Sequence, residues 1–413
     1  MNSLKIRLIV MNFFQFFVWG AWMITIGNYW FSTKHWQSED FGIIFSTMGI
    51  ASIFMPTLCG IIADRWINTE RLYGILHILC GLTFLSLPMV DNPTTFFWVI
   101  LLAMIFYMPT LALSNSIAYS VLNSNNLDTV KHFPPIRVWG TVGFIAAMWL
   151  TNLTDNKASE NQFYIAGITA IVLGLYAFSL PKSPPQNTAS KGKSLTQLLG
   201  LDAFKLFKDY KMALFFLFSM LLGAALQLTN AYGDTFLDDF KYTYPDSFVV
   251  RYSTIILSIS QVSETLFILA IPFFLRRFGI KTVMLISMLA WVLRFGLFAF
   301  GNPEGGLWMI ILSCIVYGMA FDFFNISGSL FVEKSTDSKI RSSAQGLFMM
   351  MTNGFGAVLG SWTSGMLIGR FFTAADGMKD WQSIWLCFAA YALVVAVLFA
   401  IFFKYKYVPE EEK

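Results

Sequence analysis

Leu307-Trp-Met-Ile-Ile-Leu-Ser-Cys-Ile-Val-Tyr317-Gly-Met-Ala-Phe321-Asp322-Phe-Phe-Asn325-Ile-Ser-Gly-Ser329-Leu-Phe-Val332 is apolar almost throughout. An α-helix needs about 20 such residues to cross a bilayer, and this run supplies them. Asp322 stands near its middle, flanked by Phe321, Phe323 and Phe324, with Asn325 one turn on. A carboxylate at membrane depth costs about 3 kcal/mol or more, so a residue kept there is a functional candidate.

The whole chain has the same character. Of its 413 residues, 56% are hydrophobic and 13% charged, with 43 Phe, 13 Trp and 20 Met. Soluble domains carry about 25% charged residues, so this composition is that of a membrane protein. The mean hydropathy of +0.61 agrees. The apolar runs are continuous rather than alternating, which excludes a membrane barrel and leaves an all-α integral membrane protein. Cys59, Cys80, Cys314 and Cys387 are scattered through apolar runs without metal-ligand spacing, and His35, His77 and His132 form no cluster. They read as packing groups, His77 as a structural intramembrane polar residue. No metal site or cofactor is expected, and no nucleophile–base arrangement points to an enzyme.

Twelve spans are predicted, at about 8–30, 41–63, 71–90, 95–122, 134–152, 162–180, 212–236, 248–275, 281–300, 306–332, 343–369 and 383–403. The apolar run that ends near Phe31 is too long for a signal-peptide core and reads as the first span. The polar stretch 181–211 separates six spans (1–180) from six (212–413). With the N-terminus placed in the cytoplasm, 20 of the 28 Lys and Arg fall in inner segments. Only Lys34, Lys157, Lys241, Arg251, Arg370 and Lys379 fall outside, while Arg137 and Arg294 lie in or at the edge of spans. The positive-inside rule therefore predicts both termini and the central linker to be cytoplasmic.

Six spans, a cytoplasmic linker and six more spans resemble the layout of major facilitator transporters, with two pseudo-symmetric six-helix halves. Gly60-Ile-Ile-Ala-Asp64-Arg65 after span 2 and Phe274-Leu-Arg276-Arg277-Phe278-Gly279 after span 8 resemble that superfamily's loop motif, once per half. Trp66-Ile67-Asn68 stands where the motif continues differently, and the second copy lacks the aspartate. Asp64 and Arg65 are expected to act as a gating charge latch.

Polar groups inside spans must face one another or a wet cavity. Four sets fall on single helix faces, since residues three or four apart are neighbours. Span 5 carries Arg137, Thr141 and Phe144 after Pro134-Pro135; span 7 carries Gln227 and Asn230, with Asp234 a turn on. Span 8 carries Gln261 and Glu264, and span 10 carries Tyr317 and Phe321 beside Asp322. The bland reading of intramembrane amides is interhelical glue worth about 1 kcal/mol each. Two amide pairs, two carboxylates and an arginine together make glue the poorer account. Arg137 alone could simply snorkel to the membrane face. Arg294 in span 9 has no such stripe and reads as a structural counter-charge.

The amides offer donors and acceptors to a neutral solute rich in hydroxyls and ring nitrogens. Phe144, Tyr317 and Phe321 offer faces for stacking. A carboxyl shielded from water is able to take up and release a proton near neutral pH, so Asp322 and Glu264 are the candidates for proton coupling. Arg137 could hold one of them ionised when the proton has left.

At these residues the chain resembles the nucleoside:proton symporter family of the major facilitator superfamily. The segments that carry the resemblance are Phe133-Pro-Pro-Ile-Arg137-Val-Trp-Gly-Thr141-Val-Gly-Phe144, Phe218-Ser-Met-Leu-Leu-Gly-Ala-Ala-Leu-Gln227-Leu-Thr-Asn230, Ser258-Ile-Ser-Gln261-Val-Ser-Glu264, Tyr317-Gly-Met-Ala-Phe321-Asp322 and Ser343-Ala-Gln345-Gly-Leu-Phe-Met-Met-Met-Thr352-Asn353. It runs from Phe13-Phe-Gln15-Phe-Phe-Val-Trp19-Gly to the C-terminal end.

The resemblance implies import of purine and pyrimidine nucleosides with protons by alternating access. The substrate would sit in a central cavity between the halves, bound by Arg137, Thr141, Phe144, Gln227, Asn230, Gln261, Glu264, Tyr317 and Phe321. Asp322 and Glu264 would couple the proton. It further implies a monomer in the lipid bilayer of a bacterial inner membrane, with no nucleic-acid partner. A proton-coupled sugar or polyol importer on the same scaffold is the alternative, and a receptor or scaffold without transport would not need the buried carboxylates.

Overall fold

In the computed structural model, residues 2–185, 201–337 and 340–405 are described. Part of the expected linker, 186–200, lies outside them. Among the described residues the structure is helical, apart from loops and a single β-bridge between Thr373 and Lys379.

Each expected span has its helical segment. Spans 1 to 6 are Asn2–Gly20 with its continuation to Thr33, Ser38–Arg65, Thr69–Ser86, Pro93–Ser124, Thr129–Leu153 and Asn161–Ala177. Span 7 is Tyr210–Asp239, spans 8 and 9 lie within Ser253–Phe300, and span 10 is Leu307–Ser335. Span 11 runs from Arg341 to Phe371 in three pieces, and span 12 is Trp381–Phe402. Among the described residues, seven helices are each long and apolar enough to cross a membrane.

Four spans depart from plain helices. Span 1 leaves the helix over residues 21–25, resumes at Ile26–Asn28 and ends in a π-helical turn, Tyr29–Thr33. Span 11 holds a π-helical stretch at Met350–Gly356. Spans 8 and 9 are divided only at Gly279, whose φ of 74° and ψ of 168° are open to glycine and strained for other residues. Span 5 starts at Thr129 and runs unbroken through Pro134 and Pro135.

The chain divides into two compact units. One comprises Met1–Leu199 with Asn230–Thr235. Within it, spans 3 and 6 meet through two glycine pairs. A Cβ on Gly74 would lie 2.8 Å from the Gly174 carbonyl oxygen, and one on Gly81 2.6 Å from that of Gly167. Spans 1 and 5 approach as closely, with a Cβ on Gly143 only 2.0 Å from the Phe13 carbonyl oxygen. Helices in lipid associate through close packing because no hydrophobic force separates them from acyl chains, so small residues at the seams are what such contacts require. Asn230–Thr235 joins this unit through Asp234, which accepts a 2.5 Å hydrogen bond from Asn28 Nδ2, and through Tyr232, edge-on to Phe41.

The other unit comprises Gly200–Thr229 and Phe236–Lys413. Its interior is aromatic: Phe215 contacts Phe331 and Phe348 at centroid distances of 4.7 and 5.2 Å. A Cβ on Gly223 of span 7 would meet the Thr352 carbonyl oxygen of the π-helical stretch at 2.0 Å. In the same unit, Gly318 of span 10 lies against the backbone of Ser263 and Glu264 in span 8, and Ser263 Oγ donates to the Ile315 carbonyl.

Candidate functional site

The last contact sets the geometry around Asp322. Because Gly318 has no side chain, spans 8 and 10 come together at Ser263–Glu264, and Glu264 is carried to the turn that holds Tyr317, Phe321 and Asp322. Asp322 and Glu264 are close enough to interact electrostatically. Asp322 is buried, and its Oδ2 has no hydrogen-bond partner among the described residues. Glu264 and Gln261 are half-buried.

Tyr317 and Phe321 stack at 6.2 Å with an interplanar angle of 12°, as their spacing of one helical turn predicts. Phe321 is half-buried and borders a small cavity shared with Leu226, Trp291, Asn325 and Thr352. Asn325, one turn beyond Phe321, thus belongs to the same wall. Gln227 is buried with its Oε1 unpartnered among the described residues, so it keeps an acceptor free.

Arg294 has a more specific place than the sequence suggests. Its guanidinium lies 4.6 Å from the Tyr317 ring centroid and 5.0 Å from that of Phe298. Nη1 donates to the Ser313 carbonyl at 2.7 Å, and Nε to Thr229 Oγ1 at 3.4 Å. A fully buried arginine from span 9 therefore backs the Tyr317–Phe321 platform. Hydropathy gives no sign of this, because the residues that satisfy Arg294 come from spans 7, 8 and 10.

In the other unit, Arg137 is half-buried and its guanidinium lies 4.0 Å from the Phe16 ring centroid, a cation–π contact. Thr141 is half-buried on the same face, and Phe144 is buried edge-on to Trp19 at 6.3 Å. Trp19 also meets Tyr107 at 5.7 Å, and its indole Nε1 is buried without a partner among the described residues. Gly140 and Gly143 make room for this: a Cβ on Gly140 would fall 2.6 Å from the Phe16 ring and 2.7 Å from Arg137 Nη1. Trp19 was not among the sequence candidates, although its spacing from Phe16 and Gln15 was a usable signal.

Beneath this face lies a buried polar network. Gln15 Oε1 accepts from Tyr73 Oη at 2.6 Å and from His77 Nε2 at 2.9 Å, while Gln15 Nε2 donates to Thr110 Oγ1 at 2.9 Å. Tyr107 Oη donates to the Gln15 carbonyl at 2.7 Å. All five residues are buried, which fits the structural reading of His77. Asp64 is exposed and Arg65 half-buried at the end of span 2, and Asn230 is half-buried in span 7.

Twelve spans built this way, with a buried carboxyl among aromatic and amide groups, define a transporter of the major facilitator fold with two pseudo-symmetric six-helix halves, and not an enzyme. The chain matches the family described as Nucleoside H+ symporter over residues 1–408, and it belongs to that family. It is 53% identical to xanthosine permease of Escherichia coli (strain K12), across 100% of this chain and 98% of that one. It is 49% identical to nucleoside permease NupG of the same organism, across 98% and 97% of the two chains. Two crystal structures of the nucleoside transporter NupG, one of a point mutant, superpose with TM-scores of 0.91 and 0.94 at 49% identity. They cover 98% and 97% of this chain and 100% of theirs. A D-xylose-proton symporter shares the fold with a TM-score of 0.71 at 14% identity, across 97% and 98% of the chains.

Proposed function

We propose that the protein imports nucleosides together with protons by alternating access across a bacterial inner membrane, as a monomer with both termini in the cytoplasm. Nucleoside binding is assigned to Arg137, Thr141, Phe144, Gln227, Asn230, Gln261, Glu264, Tyr317 and Phe321, and proton coupling to Asp322 and Glu264. Asp64 and Arg65 serve the gating latch. The observation that carries this reading is the buried Asp322, with Oδ2 unpartnered, beside Glu264 and the stacked Tyr317–Phe321 pair, in a chain of this family.

Each part of the set has a distinct task. The platform offers a flat apolar face to the base, which binds through area and ring electrostatics. Gln227 and Gln261 supply the donors and acceptors that read ribose hydroxyls and base edges, because an amide provides both. Asp322 takes a proton at its free oxygen and gives it up on the other side of the membrane. The carboxylate is thereby neutralised and recharged in each cycle, and the cost of that charge at membrane depth ties substrate movement to proton movement. Similarity to a xanthosine permease and to a nucleoside permease supports nucleosides as cargo.

The test is uptake of uridine, adenosine and xanthosine into proteoliposomes, with and without an imposed proton gradient. Accumulation above equilibrium that requires the gradient and is blocked by other nucleosides is expected. Competition by free ribose but not by adenosine would move the cargo to sugars. Accumulation without a gradient would remove the proton.

A further inference from the structure

A groove lies away from the residues proposed to bind nucleoside, where span 7 begins and span 12 ends. Tyr210, Lys211 and Leu214 of the first and Ile401, Phe402 and Lys404 of the second line a groove of about 420 Å³. The groove has two kinds of wall. Ile401 and Phe402 are 56% and 48% exposed and continue the lipid-facing surface of span 12. The two lysines are exposed at its rim, and among the described residues no carboxylate lines it. Lys211 Nζ sits 5.9 Å from the Tyr405 ring centroid, a contact that joins the start of span 7 to the chain leaving span 12.

The segment just before span 7 fixes the depth of this groove. Leu201–Lys208 is a 3-10 helix with the sequence Leu-Asp-Ala-Phe-Lys-Leu-Phe-Lys. Its Leu201, Phe204 and Phe207 recur every third residue, which is one face of a helix with three residues per turn. All three are at least 38% exposed, while Phe207 also packs on Phe216 at 5.3 Å. A short helix with an exposed apolar face and lysines elsewhere lies in the plane of the membrane–water boundary. The groove that follows is therefore at headgroup level, with its apolar wall reaching the acyl chains.

We propose that this groove binds one anionic phospholipid of the phosphatidylglycerol type. Its phosphate lies between Lys211 and Lys404, the Tyr210 hydroxyl faces the headgroup, and an acyl chain lies along Leu214, Ile401 and Phe402. Two ammonium groups select a negative headgroup over a zwitterionic one. The apolar wall selects a lipid over a free anion, which gains nothing from Ile401 and Phe402. Bound there, the lipid holds together the ends of two spans that bound the same unit.

The test is native mass spectrometry of the full chain in detergent, with equal amounts of phosphatidylglycerol and phosphatidylcholine of matched acyl chains. The wild-type protein is expected to retain phosphatidylglycerol preferentially. Each of Lys211→Gln and Lys404→Gln should reduce that preference roughly fivefold, the weight of one basic side chain at an anionic surface. Lys334→Gln, in the last turn of span 10, should leave it unchanged. Four results would overturn the proposal: equal retention of the two lipids, equal loss in the Lys334 variant, displacement by inorganic phosphate, or a groove occupied by a second copy of the chain and seen as a dimer. The acidic run Glu410–Glu412 is present in the full chain, and if it fills the groove no lipid is retained, which would also overturn it.

Discussion

The guanidinium of Arg294 lies 4.6 Å from the centre of the Tyr317 ring, and Tyr317 in turn stacks on Phe321. A charge from span 9 thus supports, from behind, the aromatic pair proposed to bind the nucleoside. Arg294 is held by the Ser313 carbonyl, so its position is set before any substrate arrives. Arg294→Lys keeps the charge but loses the planar fork and most of the ring contact. It is expected to weaken nucleoside binding roughly tenfold while leaving the protein folded, as measured by titration calorimetry alongside thermal unfolding. Unchanged affinity would mean that the platform does not depend on its backing.

Asp322→Asn removes the carboxyl proposed to exchange a proton and preserves its shape. Gradient-driven accumulation should vanish, whereas exchange of nucleoside across the membrane without a gradient should persist. Counterflow and gradient-driven uptake in the same proteoliposomes separate the two. Retained accumulation against a gradient would assign the proton to another residue.

Phe321→Ala deletes half of the stacked pair and Gln261→Ala an amide on the facing helix. Losing a stacking face is worth about 1–3 kcal/mol per base, so binding should weaken by roughly one to two orders of magnitude in the first case. The loss of hydrogen bonds in the second should be about tenfold. Equilibrium binding of uridine measures both, and two unchanged affinities would place the cargo elsewhere.

Gln15→Ala removes the hub of the buried network. Tyr73 and His77 would lose their partner, while Thr110 keeps its bond to the Tyr107 carbonyl, and each buried polar group left unpaired costs about 1–3 kcal/mol. The expected result is a fall in unfolding temperature of roughly 5–10 °C in detergent, given about 2–4 °C per kcal/mol for a chain of this order of size. An unaltered melting curve would show that the network adds nothing to stability.

The amino-acid sequence by itself determined the membrane class, the twelve spans and the singular position of Asp322. These follow from chain-local physics: the length of apolar runs against bilayer thickness, and the cost of a carboxylate within one. The stacking of Tyr317 on Phe321 was legible too, because helical periodicity places residues one turn apart on one face. Only the tertiary structure decided the partners. Arg294 finds Tyr317 and Ser313, and His77 finds Gln15, through contacts between helices distant in sequence, to which no local pattern points. The interruption of span 1 and the π-helical turns at Tyr29–Thr33 and Met350–Gly356 were equally silent. Met-Met-Thr-Asn-Gly-Phe-Gly in span 11 is more polar than its surroundings, but composition does not name a helix type, and it is there that Gly223 packs against the Thr352 carbonyl. Hydropathy sees how far a residue is from water; which neighbour it meets depends on how the helices close on one another.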